Sequence, residues 1–226
     1  MGAVLDLVRV LFSPSEVFER IREKPVWFVP AIVLSILATV IGYLFLPYRL
    51  ASMAGNMAKA AAQNPNAPAQ IETFTRYGVF ATPIFMLLIL LVIAGVLWLL
   101  VTLFAGGEAR FGTLLSVATY TALPSILLQA ATLVVLKMKG VESVTGPLDL
   151  QPPLGLNLLA PNVGGFVSGV LASINPFTIW GMVLTAIGIR VTQRSSKGSA
   201  YAVAIAAMLI GVLLGGIGAA LASRQG

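Results

Sequence analysis

Long apolar stretches alternate with short polar ones along this chain. No Lys, Arg, Asp or Glu occurs in residues 25–48, 77–107, 111–136, 150–189 or 198–223. A hydrocarbon core about 30 Å thick is crossed by about 20 helical residues at about 1.5 Å each, so each of these intervals can hold a helical span. Transmembrane barrel strands would be about half as long and would alternate in polarity, a pattern that is not seen here. The pattern predicts an all-α, polytopic transmembrane helical bundle with five spans, near 27–47, 79–104, 112–136, 176–193 and 200–222. It divides the chain into an N-terminal amphipathic, interfacial segment, 1–24, and a transmembrane domain, 25–226.

Local signals refine this outline. Asp6 and Arg9 break the first apolar run, so 1–24 is expected to stay attached rather than serve as a cleaved signal. Val4, Leu7, Val8 and Leu11 recur at helical spacing and predict a short interfacial helix. Ser13-Pro14-Ser15-Glu16 reads as a capping box that starts a second helix, with Val17, Phe18 and Ile21 on one face. This second helix is either a plain anchor, the simpler reading, or a membrane-surface recognition element. Trp27, Tyr43 and Tyr48 suit the two headgroup regions flanking the first span.

The connection 48–76 has an Ala- and Met-rich half compatible with helix, then an irregular break at Asn64-Pro65-Asn66-Ala67-Pro68. Gly106-Gly107-Glu108-Ala109-Arg110 is short enough to force the second and third spans into an antiparallel hairpin, with Glu108 and Arg110 placed to pair. Pro124 should kink the third span, where Thr121 and Ser125 are near the freed carbonyl. Gly and Pro mark 137–162 as an exposed loop. Asn175 as cap and Pro176 at the first helical position open the fourth span, leaving 163–174 as a short interfacial or re-entrant helix.

Composition sharpens the class. Hydrophobic residues make up 58% and charged residues 10% of the chain, against about 25% charged in a soluble domain. There is no Cys and no His, which removes thiolate nucleophiles, imidazole bases and the usual zinc and haem ligands. The formal charge of +6 comes from 14 Lys and Arg scattered around the spans, which fits topology signals rather than a nucleic-acid surface. With the N-terminus cytoplasmic, eight cations fall inside (Arg9, Arg20, Arg22, Lys24, Arg110, Arg190, Arg194, Lys197) and six outside. The positive-inside rule therefore favours N-in, with both long connections facing outward.

Candidate chemistry is sparse. A charge at mid-bilayer costs at least about 2.5 kcal/mol and usually marks function, yet the spans carry none. This argues against carboxylate-based proton coupling and against catalysis, and no catalytic residue, cofactor or metal ligand is expected. Gly106-Gly107 with Arg110 lacks the phosphate-loop pattern and reads as a tight turn. Intramembrane polarity is concentrated on the third span, where Ser116, Tyr120, Pro124, Ser125 and Gln129 share one broad sector, expected to be a helix-packing face or a polar pocket. On the fifth span Ala207, Gly211, Gly215 and Ala219 form a stripe that lets another helix approach.

Three segments together carry a family resemblance: Ser13-Pro14-Ser15-Glu16-Val17-Phe18; Phe104-Ala105-Gly106-Gly107-Glu108-Ala109-Arg110-Phe111 followed by Tyr120-Thr121-Ala122-Leu123-Pro124; and Asn175-Pro176-Phe177-Thr178-Ile179-Trp180. Over about residues 10–222 the chain resembles the Yip domain family of Ypt/Rab-interacting integral membrane proteins, in particular its prokaryotic members. The resemblance implies five spans with a cytoplasmic N-terminus, in a prokaryotic cell (inner) membrane. Eukaryotic relatives are linked to vesicle trafficking and to prenylated Rab-type GTPases through a long N-terminal region. Here only about 24 residues precede the first span and no Asp-Leu-Tyr-Gly-Pro motif occurs, so GTPase binding is not carried over.

The expected function is a non-enzymatic membrane scaffold or partner-binding, trafficking-related protein. Its partners would be the lipid bilayer and another membrane protein or a second copy. The alternative is a small-solute or lipid transporter or channel using the kinked third helix and the broken segment near Asn175-Pro176.

Overall fold

The structure, a computed structural model, describes residues 2–104, 109–160 and 163–225. Among the described residues it is all-helical, with no strand. Two short helices, α1 (Gly2–Arg9) and α2 (Pro14–Glu23), precede α3 (Phe28–Leu44). The connection after α3 is itself helical: α4 (Leu46–Ser52), α5 (Ala54–Gln63) and α6 (Ala67–Gly78) lead through one 3-10 turn into α7 (Thr82–Phe104). Then follow α8 (Phe111–Thr121), α9 (Leu123–Lys139), a loop with three 3-10 turns, α10 (Gly165–Ser173), α11 (Pro176–Gln193) and α12 (Lys197–Gln225).

Three continuous helical stretches are long and apolar enough to cross a membrane: Ala67–Phe104, Phe111–Lys139 and Lys197–Ser223. Two bent pairs, α3 with α4 and α10 with α11, raise the number to five when each counts as one crossing. The fold is thus a helical membrane bundle of three to five spans. Its element starts follow the local signals. Pro14 and Pro176 each open a helix, where the missing N–H costs nothing. The break before α6 is held by Asn64, whose side chain accepts the Asn66 N–H at 3.0 Å and whose carbonyl accepts the Ala67 N–H at 2.9 Å.

One expectation needs correction. Ser13 does stand at the N-cap of α2, but its side chain makes no capping bond. Its own N–H is taken by Arg9 O at 2.8 Å and its carbonyl accepts the Val17 N–H at 3.3 Å, so the chain winds directly from α1 into α2 and leaves the hydroxyl unused. In the connection after the first span, the Ala- and Met-rich half is helical as α5, and beyond the break α6 continues almost without interruption into the second span.

The chain divides into two compact units. The first comprises Met1–Leu37, Pro83–Ile126 and Phe177–Ile210. It gathers α1, α2, the start of α3, most of α7, α8, most of α11 and the start of α12, around a core that includes Phe18, Leu34, Leu97, Leu114 and Leu184. The second comprises Ala38–Thr82, Leu127–Pro176 and Gly211–Gly226. Its core packs Phe45 and Tyr48 against Leu133, Leu136 and Val144.

Candidate functional site

Within the first unit, α1 and α2 do not lie free. On α2 the apolar face Val17, Phe18 and Ile21 is fully buried, and the helix packs on α8. Phe18 is admitted by a glycine: a β-carbon built at Gly188 of α11 would stand 2.8 Å from Val117 Cγ1 and 3.1 Å from Phe18 Cζ. Leu7 and Val10 are buried too. An ion pair ties the two N-terminal helices, with Arg20 Nη2 donating to Asp6 Oδ1 at 2.6 Å, and the pair holds the guanidinium above its usual pKa. From the bundle, the Tyr120 hydroxyl donates to Ala3 O at 3.4 Å. These two short helices are therefore a docked cap. The apolar edge of α1 that the docking leaves exposed, Val4, Leu5 and Val8, continues into Phe12, which is 81% exposed.

The same unit collects the turns between spans. Arg110 N–H donates to Gln193 Oε1 at 3.2 Å, joining the start of α8 to the end of α11, and Trp98 Nε1 donates to Ala109 O at 3.2 Å. Gly106, Gly107 and Glu108, the centre of the expected hairpin turn and of the Glu108–Arg110 pairing, lie outside the described residues. Arg194 closes α11 in the left-handed region at φ 52, and next to it the Ser195 hydroxyl is buried with no partner among the described residues. Arg9, Lys24, Arg110, Arg190, Arg194 and Lys197 are exposed. Among the described residues of this unit, ion pairs form only at Asp6.

The candidate face on the third span divides. Ser116 and Tyr120 are buried, and Ser116 Oγ donates to Gly112 O at 3.0 Å within its own helix. Thr119 and Thr121 likewise bond the carbonyls of Leu115 and Val117 at 2.8 and 2.9 Å. The helix is interrupted at Ala122, ahead of buried Pro124. Ser125 and Gln129 are exposed. Hydroxyls that back-bond one turn along the helix are satisfied locally and leave no donor to spare for a solute.

The stripe on α12 also divides. In the second unit Gly215 and Ala219 meet α10: a β-carbon built at Gly169 would come within 2.5 Å of Ala219 Cβ and 2.6 Å of Gly215 O. Gly165 faces Ser223, and Gly215 faces Ser173. Gly165-x-x-x-Gly169-x-x-x-Ser173 on α10 thus meets Gly215-x-x-x-Ala219-x-x-x-Ser223 on α12, a pairing of two small-residue stripes that sequence reading missed on the α10 side. Gly211 is exposed, with open space where a β-carbon would stand. Ala207, in the first unit, is half-buried.

A second polar locus lies in the loop of the second unit. Asp149 Oδ2 accepts the Thr145 N–H at 2.8 Å, Thr145 Oγ1 at 3.0 Å and the Gly146 N–H at 2.9 Å. Burial pushes this carboxyl up, but the three donations outweigh it and hold the group below its usual pKa. Close by, Gln151 Oε1 accepts from Ser168 Oγ at 2.9 Å and from Asn157 Nδ2 at 3.3 Å. A cavity of about 260 Å³ lies among Thr132, Lys139, Asp149, Gln151 and Asn157.

A group whose folded pKa is depressed stabilises above its unfolded pKa, and that contribution is lost as pH falls through the folded value. The 145–150 turn is therefore expected to stay closed through the ordinary carboxylate range and to open only in stronger acid. Asp149→Ala should raise amide exchange at Thr145 and Gly146 about fivefold at neutral pH, for a cap worth about 1 kcal/mol. Unchanged exchange would show that the carboxylate does not hold the turn.

Fold and geometry together define a small polytopic helical membrane protein whose N-terminal helices dock on α8 and α11. The family model described as the Yip1 domain matches residues 8–219, and the chain belongs to the Yip1 domain family. It is similar to "Membrane protein YknW" of Bacillus subtilis (strain 168), 29% identical over 214 residues that cover 92% of this chain and 87% of that protein. No solved structure matches the chain.

Proposed function

We propose that this protein is a non-enzymatic membrane scaffold that binds another membrane protein, or a second copy of itself, through the face built by α1 and α2 in the first unit. The observation that carries this reading is the docked cap. Its helices are fixed by Phe18 and the Asp6–Arg20 pair, yet they leave the Val4, Leu5, Val8 and Phe12 edge exposed. A rigid apolar edge offers a partner buried area without a large ordering cost. The eight-to-six cation distribution supports a cytoplasmic face in a prokaryotic inner membrane. The local back-bonding of the α8 hydroxyls favours the packing role of the third span over the transport alternative.

The test is site-specific photo-cross-linking in native membranes from position 12, with position 74 in the second unit as control. A reproducible protein adduct at 12 and none at 74 is expected. Lipid adducts alone at position 12 would overturn the reading.

A further inference from the structure

At the bend between α3 and α4, 54° sharp, the second unit has an amphipathic crevice. It consists of two adjoining hollows of about 310 and 340 Å³ that share Tyr43, Leu46 and Arg76. The first adds Pro47, Tyr48 and Lys137, and the second adds Thr73, Tyr77 and Phe80. Thr73, Arg76, Tyr77 and Phe80 follow the i, i+3, i+4, i+7 rule and so share one face of the helix. Among the described residues, no acidic residue lines either hollow.

Three elements change polarity at this crevice. Going along α6, charged Glu72 and Arg76 give way to the apolar run from Val79, and α9 ends its apolar run at Lys137. The apolar α3 ends beside Tyr43 and Tyr48, the aromatic type that favours the headgroup layer. The crevice therefore sits at headgroup depth. Its aromatic end opens outward, since Tyr43 is 58%, Tyr77 70% and Phe80 65% exposed.

Its polar groups have unused capacity. Arg76 spends Nε and Nη2 on Glu72 Oε1, at 2.9 and 2.8 Å, which leaves Nη1 without a protein partner among the described residues. Lys137 forms no ion pair there, and the hydroxyls of Tyr43 and Tyr48 have no hydrogen-bond partner among the described residues. Two cations against the single carboxylate of Glu72 leave a net positive charge. That disfavours a choline or ethanolamine headgroup and favours an anionic one.

We propose that this crevice is a binding site for an anionic membrane phospholipid. Lys137 and the free Arg76 nitrogen hold the phosphate, the tyrosine hydroxyls hydrogen-bond the headgroup, and an acyl chain lies along Tyr77 and Phe80. Each surface cation contributes about 1 kcal/mol to anionic-lipid attraction, so losing both weakens binding about thirtyfold at about 1.4 kcal/mol per tenfold.

The experiment uses the full chain purified in mild detergent and titrated in separate arms with phosphatidylglycerol, phosphatidylcholine of the same chains, and inorganic phosphate, read by native mass spectrometry and thermal midpoint. Phosphatidylglycerol is expected to bind and to raise the midpoint, with the other two far weaker. The Arg76→Gln, Lys137→Gln double variant should lose the effect about thirtyfold. Glu72→Gln, which releases the remaining Arg76 nitrogens, should tighten binding severalfold, a gain that misfolding cannot imitate. Equal effects of phosphatidylcholine, a match by inorganic phosphate alone, or full retention by the double variant would each overturn the proposal.

Discussion

Replacing Phe18 by alanine is expected to destabilise the protein by about 3 kcal/mol and to release its N-terminal helices to protease. Large-to-small changes at fully buried aromatic positions cost about 3–5 kcal/mol because the cavity refills only partly. Phe18 has no exposed surface and packs against α11 at Gly188 and near Val117 of α8. It is the largest side chain holding the cap, since the Asp6–Arg20 pair is partly exposed and contributes at most about 1 kcal/mol. The complementary change, Gly188→Val, should expel Phe18 from the other side, because even one β-carbon there stands 2.8 Å from Val117 Cγ1. Phe12→Ala is the control: at 81% exposed it should change stability by less than about 0.5 kcal/mol. Protease protection of 1–24 and the thermal midpoint are the readouts. Equal protection in wild type and Phe18→Ala would mean that α2 is held by something other than this contact.

The second large effect is expected at the α10–α12 contact. In lipid the helices gain little from the hydrophobic effect, because acyl chains are as apolar as leucine, so close packing and its dispersion energy decide whether they associate. Gly169→Val drives side-chain atoms into the α12 backbone at Gly215 and Gly216, and Gly215→Leu drives them into the Ser173 side chain; each should cost at least about 1–3 kcal/mol by overpacking. Gly211→Ala should instead be neutral or stabilising by about 0.5–1 kcal/mol, since nothing lies within 4 Å of the added methyl and alanine is the better helix former. The absence of native cysteine offers a direct measurement. A β-carbon at Gly215 stands 3.5 Å from Ser173 Cβ, within the separation a disulfide bridges, so the pair Ser173→Cys with Gly215→Cys should oxidise readily. Moving the second cysteine to Gly211 should abolish the cross-link. Equal cross-linking from both positions would remove the register described above.

Much of the architecture was legible in the sequence because a bilayer imposes one-dimensional rules. A span must be a continuous apolar helix, and proline opens or breaks helices wherever it stands, so the five apolar intervals, the start of α11 at Pro176 and the breaks at Asn64-Pro65 and near Pro124 can be read without any partner helix.

The site was less so, because pairing across the fold has no local signature. Glycine spacing on α12 announced a close approach but not its partner: the structure alone gave Gly165 and Gly169 that role and left Gly211 without one. Periodicity placed Phe18 on an apolar face of α2, while only the packing of α11 showed that the face meets protein at Gly188 rather than lipid. Helical period likewise put Ser116 and Gln129 in one sector, but the neighbours cover the first and leave the second exposed. The hydrophobic pattern of this chain determined which segments enter the membrane. Tertiary structure decided which faces meet one another, since in lipid any apolar face is tolerated outward and only shape complementarity selects those that turn in.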